Sequence, residues 1–182
     1  MMIKSGLRGA ERIAELVQAM KSYSYLDQGV QQLVDVHQGL EDTLQILSHR
    51  LKPGIEVHRC YDHSLPQINA YGSELNQVWT HLIENAIDAM NGKGQLKIKT
   101  ARDGSAVWVE ITDSGTGIPL EIQSRVFESF FTTKAVGEGT GLGLDIVRRI
   151  VENRHQGTIA LESRPGETRF SIRLPLATSK PI

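Results

Sequence analysis

The sequence has very little cysteine and no long apolar run. The single cysteine, Cys60, excludes an intramolecular disulfide and a metal cluster built on several thiolates. Free cysteines favour partly buried positions, so we expect Cys60 half-buried in a strand and the protein in a reducing, cytoplasmic compartment. No apolar stretch approaches the roughly 18 residues of a membrane span, and the first residues lack the apolar core of a signal peptide. We therefore expect a soluble piece, and an origin in a longer protein is compatible with this.

The sequence also lacks an excess of either positive or negative charge. The 20 Lys and Arg against 21 Asp and Glu leave a formal net charge of −1, so no overall basic field would recruit nucleic acid or an anionic membrane surface. A local basic pocket for phosphates is compatible with this balance. Hydrophobic residues at 40% and charged residues at 23% are typical of a globular protein. The length fits one compact domain with an appendage.

The appendage is a helix predicted over Ala10–Tyr23. Its apolar residues recur at helical spacing, and several lie seven apart, which suits a narrow seam between two helices. They are Ile13, Leu16, Val17, Met20 and Tyr23. The seam implies a partner helix; the alternative is a helix packed on its own domain.

The first half of the main domain alternates short strands with two helices. We predict strands at 33–36, 55–62 and 68–71, and helices at Gly39–Leu51 and Ser73–Met90. Ser73 can cap the second helix, and Asn91–Gly92 ends it.

Two hairpins and one more helix complete the domain. The first hairpin turns at Asp103–Gly104, and the second joins Thr158–Ser163 to Thr168–Leu174. A helix carrying Ile146 and Ile150 lies between them. Strands with one apolar face and helices with one apolar stripe predict an α+β fold. We expect a two-layer sandwich with helices on one face of a mixed, mainly antiparallel sheet. The long interval between Ile111 and Leu144 predicts a functional lid or a disordered loop.

A polar stripe borders the apolar arc of the helix Ser73–Met90. His81, Asn85 and Asp88 are spaced four and three apart, so they share one helix face. The alternative is an ordinary solvated face. Asparagine is a poor helix former, however, and its carbonyl oxygen is a good ligand for a hard cation.

Two glycine-rich segments and an aromatic segment follow. In Asp113–Pro119, alternate glycines allow close backbone approach to a planar ligand, and the aspartate can accept a hydrogen bond from an amino group; the alternative is a common turn. Gly137–Leu144 resembles a phosphate cradle but fits neither the dinucleotide fingerprint nor the Walker loop. Phe127–Lys134 offers aromatic anchors and one cation, or simply a partly buried loop cluster.

The order of these segments resembles the catalytic domain of sensor histidine kinases, in the superfamily of gyrase, the ninety-kilodalton heat-shock chaperone and the mismatch-repair ATPase. Residues 81–89 match its asparagine box, and Asp113-x-Gly115-x-Gly117 its first glycine box. Phe127–Lys134 matches the phenylalanine box, Gly139-x-Gly141-x-Gly143 the second glycine box, and Gly166–Phe170 the closing strand pair. The resemblance covers roughly residues 32–177.

The resemblance implies ATP and Mg²⁺ as ligands. Asn85 would hold the metal, Asp113 would bind the adenine amino group, and Thr168 would help to order the base. The second glycine box would wrap the phosphates inside a lid spanning roughly residues 122–140. The resemblance also places further residues of the boxes at the nucleotide: Asp88, Gly115, Gly117, Ile118, Phe130, Lys134, Gly139, Thr140, Gly141, Leu142 and Gly143.

His81 departs from the family pattern. Histidine kinases usually carry asparagine here and hydrolysing relatives carry glutamate, whereas chemotaxis kinases resemble this chain in having histidine. Without that glutamate, we expect poor hydrolysis and transfer of the γ-phosphoryl group to another residue. Whether His81 acts as a base or orients a phosphate stays open. The alternatives are a hydrolysing ATPase, a serine kinase that inhibits a sigma factor, and a degenerate nucleotide sensor.

None of the six histidines lies in the family's phosphoacceptor motif. We therefore predict that residues 1–28 are the end of a dimerisation hairpin without its acceptor histidine, that 29–177 are the catalytic domain, and that 178–182 are a tail. The implied partners are an acceptor-histidine helix, a response regulator and, for the full-length protein, a second copy. This piece should be inactive without the acceptor helix.

Overall fold

The computed structural model describes residues 29–176, and a five-stranded sheet forms its centre. The strands are β1 (Gln32–Val34), β2 (Ile55–Cys60), β3 (Ile68–Ala70), β4 (Gly94–Asp103), β5 (Ala106–Asp113), β6 (Thr158–Arg164) and β7 (Glu167–Pro175). The order in the central sheet is β2-β4-β5-β7-β6. Only β2 and β4 pair in parallel there, so the predicted mixed, mainly antiparallel sheet is confirmed. Strands β1 and β3 form a separate antiparallel pair.

The helices cover one face of the sheet. They are α1 (Val36–Ile46), α2 (Ser48–Leu51), α3 (Gly72–Met90), α4 (Leu120–Gln123) and α5 (Gly143–Arg148), which continues as a π-helical segment over Arg149–Arg154. The apolar stripes of α1, α3 and α5 join alternate residues of β4, β5 and β7 in one core. The predicted two-layer α+β sandwich is therefore confirmed.

Helix α3 lies at the middle of this core. Leu75, Trp79 and Ile83 on its apolar stripe are at most 1% exposed, and they pack with Ile98 and Ile172 of the sheet. Because the apolar stripe of α3 packs on the sheet, the rotation of the helix about its own axis is fixed, and with it the orientation of the polar stripe. That direction decides where the polar side chains of α3 lie.

The start of α1 differs from the prediction. We predicted a strand through Val36 and a helix opening at Gly39, but β1 ends at Val34 and α1 begins at Val36. The Asp35 carboxylate accepts hydrogen bonds from the backbone N–H groups of His37 (2.9 Å) and Gln38 (3.3 Å). This N-cap satisfies two unpaired donors of the first turn, so the predicted start was wrong by three residues.

Three smaller predictions were also wrong. Ser73 does not cap α3, because the helix begins at Gly72 and its N-cap residue, Tyr71, makes no side-chain cap bond. Strand β2 ends at Cys60 rather than Asp62, whose carboxylate caps a turn by accepting from the Ser64 N–H. Cys60 is exposed, since β2 is an edge strand and Cys60 pairs with the exposed Lys99.

The turn predictions are confirmed. Asn91 ends α3 in the left-handed conformation, with φ of 50°, and the first hairpin turns at Gly104, with φ of 61°. The predicted helix Ala10–Tyr23 and the tail 178–182 lie outside the described residues. Within residues 29–176, no helix is both long and apolar enough to cross a membrane.

Candidate functional site

A cavity of about 1530 Å³ lies between α3, the ends of β5 and β7, and the segment that joins β5 to α5. It is larger than a typical pocket for a small ligand. With the exception of Gly115 and Phe130, every site residue predicted from the sequence lines this cavity: His81, Asn85, Asp88, Asp113, Gly117, Ile118, Lys134, Gly139, Thr140, Gly141, Leu142, Gly143 and Thr168. Segments distant in sequence thus converge on one space.

Asp113, the last residue of β5, is a buried carboxylate at the sheet end of the cavity. Its Oδ1 accepts a hydrogen bond of 2.8 Å from the Gly115 N–H. Burial raises the pKa of Asp113 to about 6, and the Gly115 hydrogen bond opposes that rise. An acceptor with this geometry suits a ligand that presents an amino group.

Thr168 lies beside Asp113 because β5 and β7 pair these two residues directly. The Thr168 hydroxyl is 2.8 Å from the Ser163 hydroxyl, and Ser163 Oγ also accepts from the Ile118 N–H at 2.8 Å. Ser163 therefore connects the first glycine segment to the threonine. We did not predict this residue from the sequence, although the β6–β7 hairpin register, which pairs Ser163 with Thr168, points to it.

The glycines of the first glycine segment are required by packing. A Cβ on Gly115 would lie 2.7 Å from the backbone of Ala89 in α3, and a Cβ on Gly117, where φ is +82°, would lie 2.3 Å from the Arg164 carbonyl oxygen. Both distances are impossible for a real side chain. Gly115 therefore serves the approach of this loop to α3, which explains why it does not line the cavity.

The polar stripe of α3 faces the same cavity. His81 is half-buried, and desolvation lowers its pKa, so its ring is neutral at pH 7. A Cβ on Gly143 would lie 3.2 Å from His81 Nδ1, so the glycine leaves room between the ring and the second glycine segment. Within the described part of the chain, no hydrogen bond holds the half-buried Asn85 amide, so its oxygen can accept a ligand.

The second glycine segment is tied to the aromatic segment. The Phe130 N–H donates to the Gly141 carbonyl oxygen at 2.9 Å, and a Cβ on Gly141, where φ is +68°, would lie 2.4 Å from the Phe130 carbonyl carbon. Phe130 itself has φ of 67° and a 71% exposed side chain. Phe130 does not line the cavity, whereas the neighbouring Phe131 does.

Polar contacts to α3 and α5 hold the middle of the residues predicted as the lid, 122–140, against the domain. The Ser129 hydroxyl donates to the buried carboxylate of Asp145, at the start of α5, at 2.7 Å. Lys134 Nζ forms an ion pair with Asp88 of α3. The other carboxylate oxygen of Asp88 lies 2.6 Å from Arg50 Nη2. Arg50 also lines the cavity, and no motif in the sequence pointed to it.

The family of the chain follows from a comparison with family models. Residues 71–178, more than half of the sequence, match the family described as histidine kinase-, DNA gyrase B- and HSP90-like ATPase. The chain belongs to this ATPase family. The resemblance that the asparagine, phenylalanine and glycine boxes indicated is thereby confirmed, as is nucleotide use of the kind the family name describes.

Similar proteins within the family are sensor histidine kinases. The sensory histidine kinase/phosphatase NtrB of Rhodobacter capsulatus is 31% identical over 179 residues, which cover 91% of this chain and 50% of NtrB. The chain therefore spans about half the length of this curated relative.

Solved structures give the same result. The catalytic domain of histidine kinase ThkA, in a nucleotide-free form, matches with a TM-score of 0.74 and 30% identity over 80% of this chain and 95% of that one. Full-length ShkA in complex with AMPPNP matches with a TM-score of 0.80 and 26% identity over 97% of this chain and 39% of that one.

Proposed function

We propose that this chain is the ATP-binding catalytic domain of a two-component sensor histidine kinase. The observation that supports this most is the convergence of Asp113 and Asn85 on one cavity, between the two glycine segments. Family membership, the named kinases and the AMPPNP complex of ShkA agree with it. The reaction moves the γ-phosphoryl group from ATP to a ring nitrogen of histidine on a dimerisation helix, and ADP leaves.

The base would bind at the sheet end. The adenine amino group would donate to the Asp113 carboxylate, which the Gly115 N–H holds in place. Guanine presents a carbonyl oxygen at the same position and would meet a second acceptor, so the site would prefer adenine. Thr168, oriented by Ser163, would complete the base site.

The phosphates would bind further along α3, next to Asn85. No group of three or more His, Cys, Asp or Glu side chains within residues 29–176 could hold a metal ion. Mg²⁺, however, commonly takes one or two protein ligands with substrate phosphates and water, and the open amide oxygen of Asn85 fits that role. The bound ion would neutralise phosphate charge. The segment Gly139–Gly143 would wrap the phosphates through its backbone N–H groups.

A neutral, half-buried His81 would favour transfer over hydrolysis. The hydrolysing relatives place a glutamate at this position, whereas His81 presents an uncharged ring packed beside Gly143. A weaker water-activating group would limit wasteful turnover while the acceptor ring is absent. The acceptor helix, a response regulator and a second copy are the proposed partners, and ATP as donor would place the domain in the cytoplasm.

The test is phosphorylation of an acceptor supplied separately. The chain is mixed with labelled ATP, Mg²⁺ and a dimerisation hairpin that carries an acceptor histidine, and phosphate on the hairpin is measured. We expect acid-labile, base-stable phosphate, which is the signature of phosphohistidine, and almost no label on the chain itself.

The controls separate the alternatives. A hairpin with its acceptor His changed to Gln should stay unlabelled, and the Asp113→Asn variant should lose the activity. Rapid steady-state release of phosphate without hairpin labelling would instead support a hydrolysing ATPase. Base-labile phosphate on a protein substrate would support a serine kinase.

A further inference from the structure

The carboxylate of Asp88 in α3 forms ion pairs with two basic side chains that come from distant parts of the chain. Arg50, from α2, places Nη2 2.6 Å from Asp88 Oδ1, and Lys134, from the lid, places Nζ on Asp88 Oδ2. All three residues line the cavity. Since Asp88 follows Asn85 by three residues on the same helix face, this cluster lies at the proposed phosphate end.

The two cations differ in how firmly they are fixed. Arg50 follows the buried Leu47 and precedes the buried Leu51, and its own N–H donates to the Leu47 carbonyl oxygen at 2.9 Å. Its Nη1 is 3.4 Å from Glu84 Oε1, so the guanidinium spans two carboxylates of α3. Lys134 belongs instead to a loop segment with few backbone hydrogen bonds and makes one ion pair among the described residues, with Asp88.

This difference matters when a polyphosphate enters. Lys134 is paired with Asp88, so it must leave the carboxylate before it can contact a phosphate. Without a second cation, the Asp88 carboxylate would then carry an uncompensated negative charge beside the phosphates, and the repulsion would weaken nucleotide binding. Arg50 stays on the other oxygen of Asp88 and removes that charge.

We propose that Asp88 is the resting partner of Lys134 rather than a nucleotide ligand, and that Arg50 is a positioning residue that keeps Asp88 neutralised while Lys134 moves to the phosphates. This inference rests on the proposed function. It revises the sequence-based expectation that Asp88 binds the nucleotide, and it gives a role to Arg50, which lies outside every box.

The experiment measures the affinities for adenosine, ADP and Mg-ATP in Arg50→Met, Asp88→Asn and the double variant. In Arg50→Met the exposed carboxylate repels phosphate, so Mg-ATP should bind roughly 10- to 30-fold more weakly, ADP should lose less, and adenosine should stay within about twofold. Asp88→Asn should bind Mg-ATP about threefold more tightly than wild type, since Lys134 no longer exchanges partners. The double variant should recover the affinity of Asp88→Asn.

Arg59→Met is the matched control. Arg59 forms an ion pair of 2.7 Å with Glu41 and does not line the cavity. Its loss should leave all three affinities unchanged.

Each other outcome is informative. If the double variant stays as weak as Arg50→Met, Arg50 contacts phosphate directly and the compensating role is refuted. Equal losses for adenosine and Mg-ATP would indicate a merely structural role. If Arg50→Met does not fold, weaker Mg-ATP binding by Asp88→Asn alone would overturn the inference. A wild-type chain that binds no ATP would overturn the proposed function itself.

Discussion

Asp113 should make nucleotide binding depend on pH. Burial raises the pKa of its carboxyl group to about 6, and only the ionised form is a full acceptor for the adenine amino group. With this pKa, about nine tenths of the free protein is ionised at pH 7 and about one tenth at pH 5. If the protonated form does not bind, the affinity should fall about tenfold between pH 8 and pH 5, or about 1.4 kcal/mol.

The perturbation that isolates this group is Asp113→Asn. The nucleotide phosphates and other protein groups titrate in the same range, but they do so equally in both proteins. At pH 8 the variant should bind about 10- to 100-fold more weakly, because a hydrogen bond to a charged group is lost. The affinity of wild type divided by the affinity of Asp113→Asn should be, at pH 5, about one tenth of its value at pH 8.

Calorimetry offers a second measurement. Nucleotide binding selects the ionised carboxylate, so at pH 6 it should release about half a proton from wild type relative to the variant. Titrations in two buffers of different ionisation enthalpy give this number. A ratio of affinities that stays constant from pH 5 to pH 8, with no difference in proton release, would refute the assignment of Asp113 to the base.

The stability of the variant provides the control for folding. The pKa of Asp113 is higher in the folded than in the unfolded protein, so its contribution favours folding when the group is protonated and is lost as the pH rises through about 6. Asp113→Asn should therefore not destabilise the nucleotide-free protein at pH 8. Weak binding by a variant that unfolds as late as wild type is then a property of the site.

Three more predictions follow from single contacts. Gly117→Ala should lower the free energy of unfolding by well over the roughly 1 kcal/mol expected of Gly104→Ala, because both glycines have positive φ but only Gly117 would push a Cβ into the Arg164 carbonyl oxygen. Equal losses for the two variants in thermal unfolding would contradict this. Burial lowers the pKa of His155 below the unfolded value of about 6.5, so its stabilisation is present above that pH and is lost on acidification. Urea unfolding at pH 7 and pH 5 should show a smaller loss in His155→Gln than in wild type. Asn85→Ala should abolish the Mg²⁺ enhancement of ATP binding in titrations with and without the metal, and an unaltered response would remove Asn85 from the metal site.

Much of the site could be predicted from order and spacing alone. His81, Asn85 and Asp88 share a helix face because three and four residues make about one turn, and the cavity does receive all three. Asp113 at the end of a strand and the glycines after residue 137 were equally visible. There were two exceptions among the predicted residues. Phe131 lines the cavity in place of Phe130, and Gly115 packs against Ala89 of α3.

Local capping was harder to predict. Ser73 has the right chemistry for an N-cap, yet α3 begins one residue before it. Asp35 was the cap that mattered, and its carboxylate starts α1 three residues before the glycine that we had chosen. Cap preferences are weak compared with tertiary packing, and the buried Val36 belongs to the stripe that α1 lays on the core.

The amino-acid sequence by itself determined which main helices and strands form, though not all of their ends, together with the α+β class and the identity of the boxes, because periodicity and spacing act over a few residues. Only the tertiary structure placed Arg50 on Asp88 and Ser163 between Ile118 and Thr168. Those contacts join residues from separate elements, and they are decided by the sheet register and by the packing of α1, which leads directly into α2, on α3. No local sequence pattern encodes such a contact, since the packing of the whole core sets the distance between its residues.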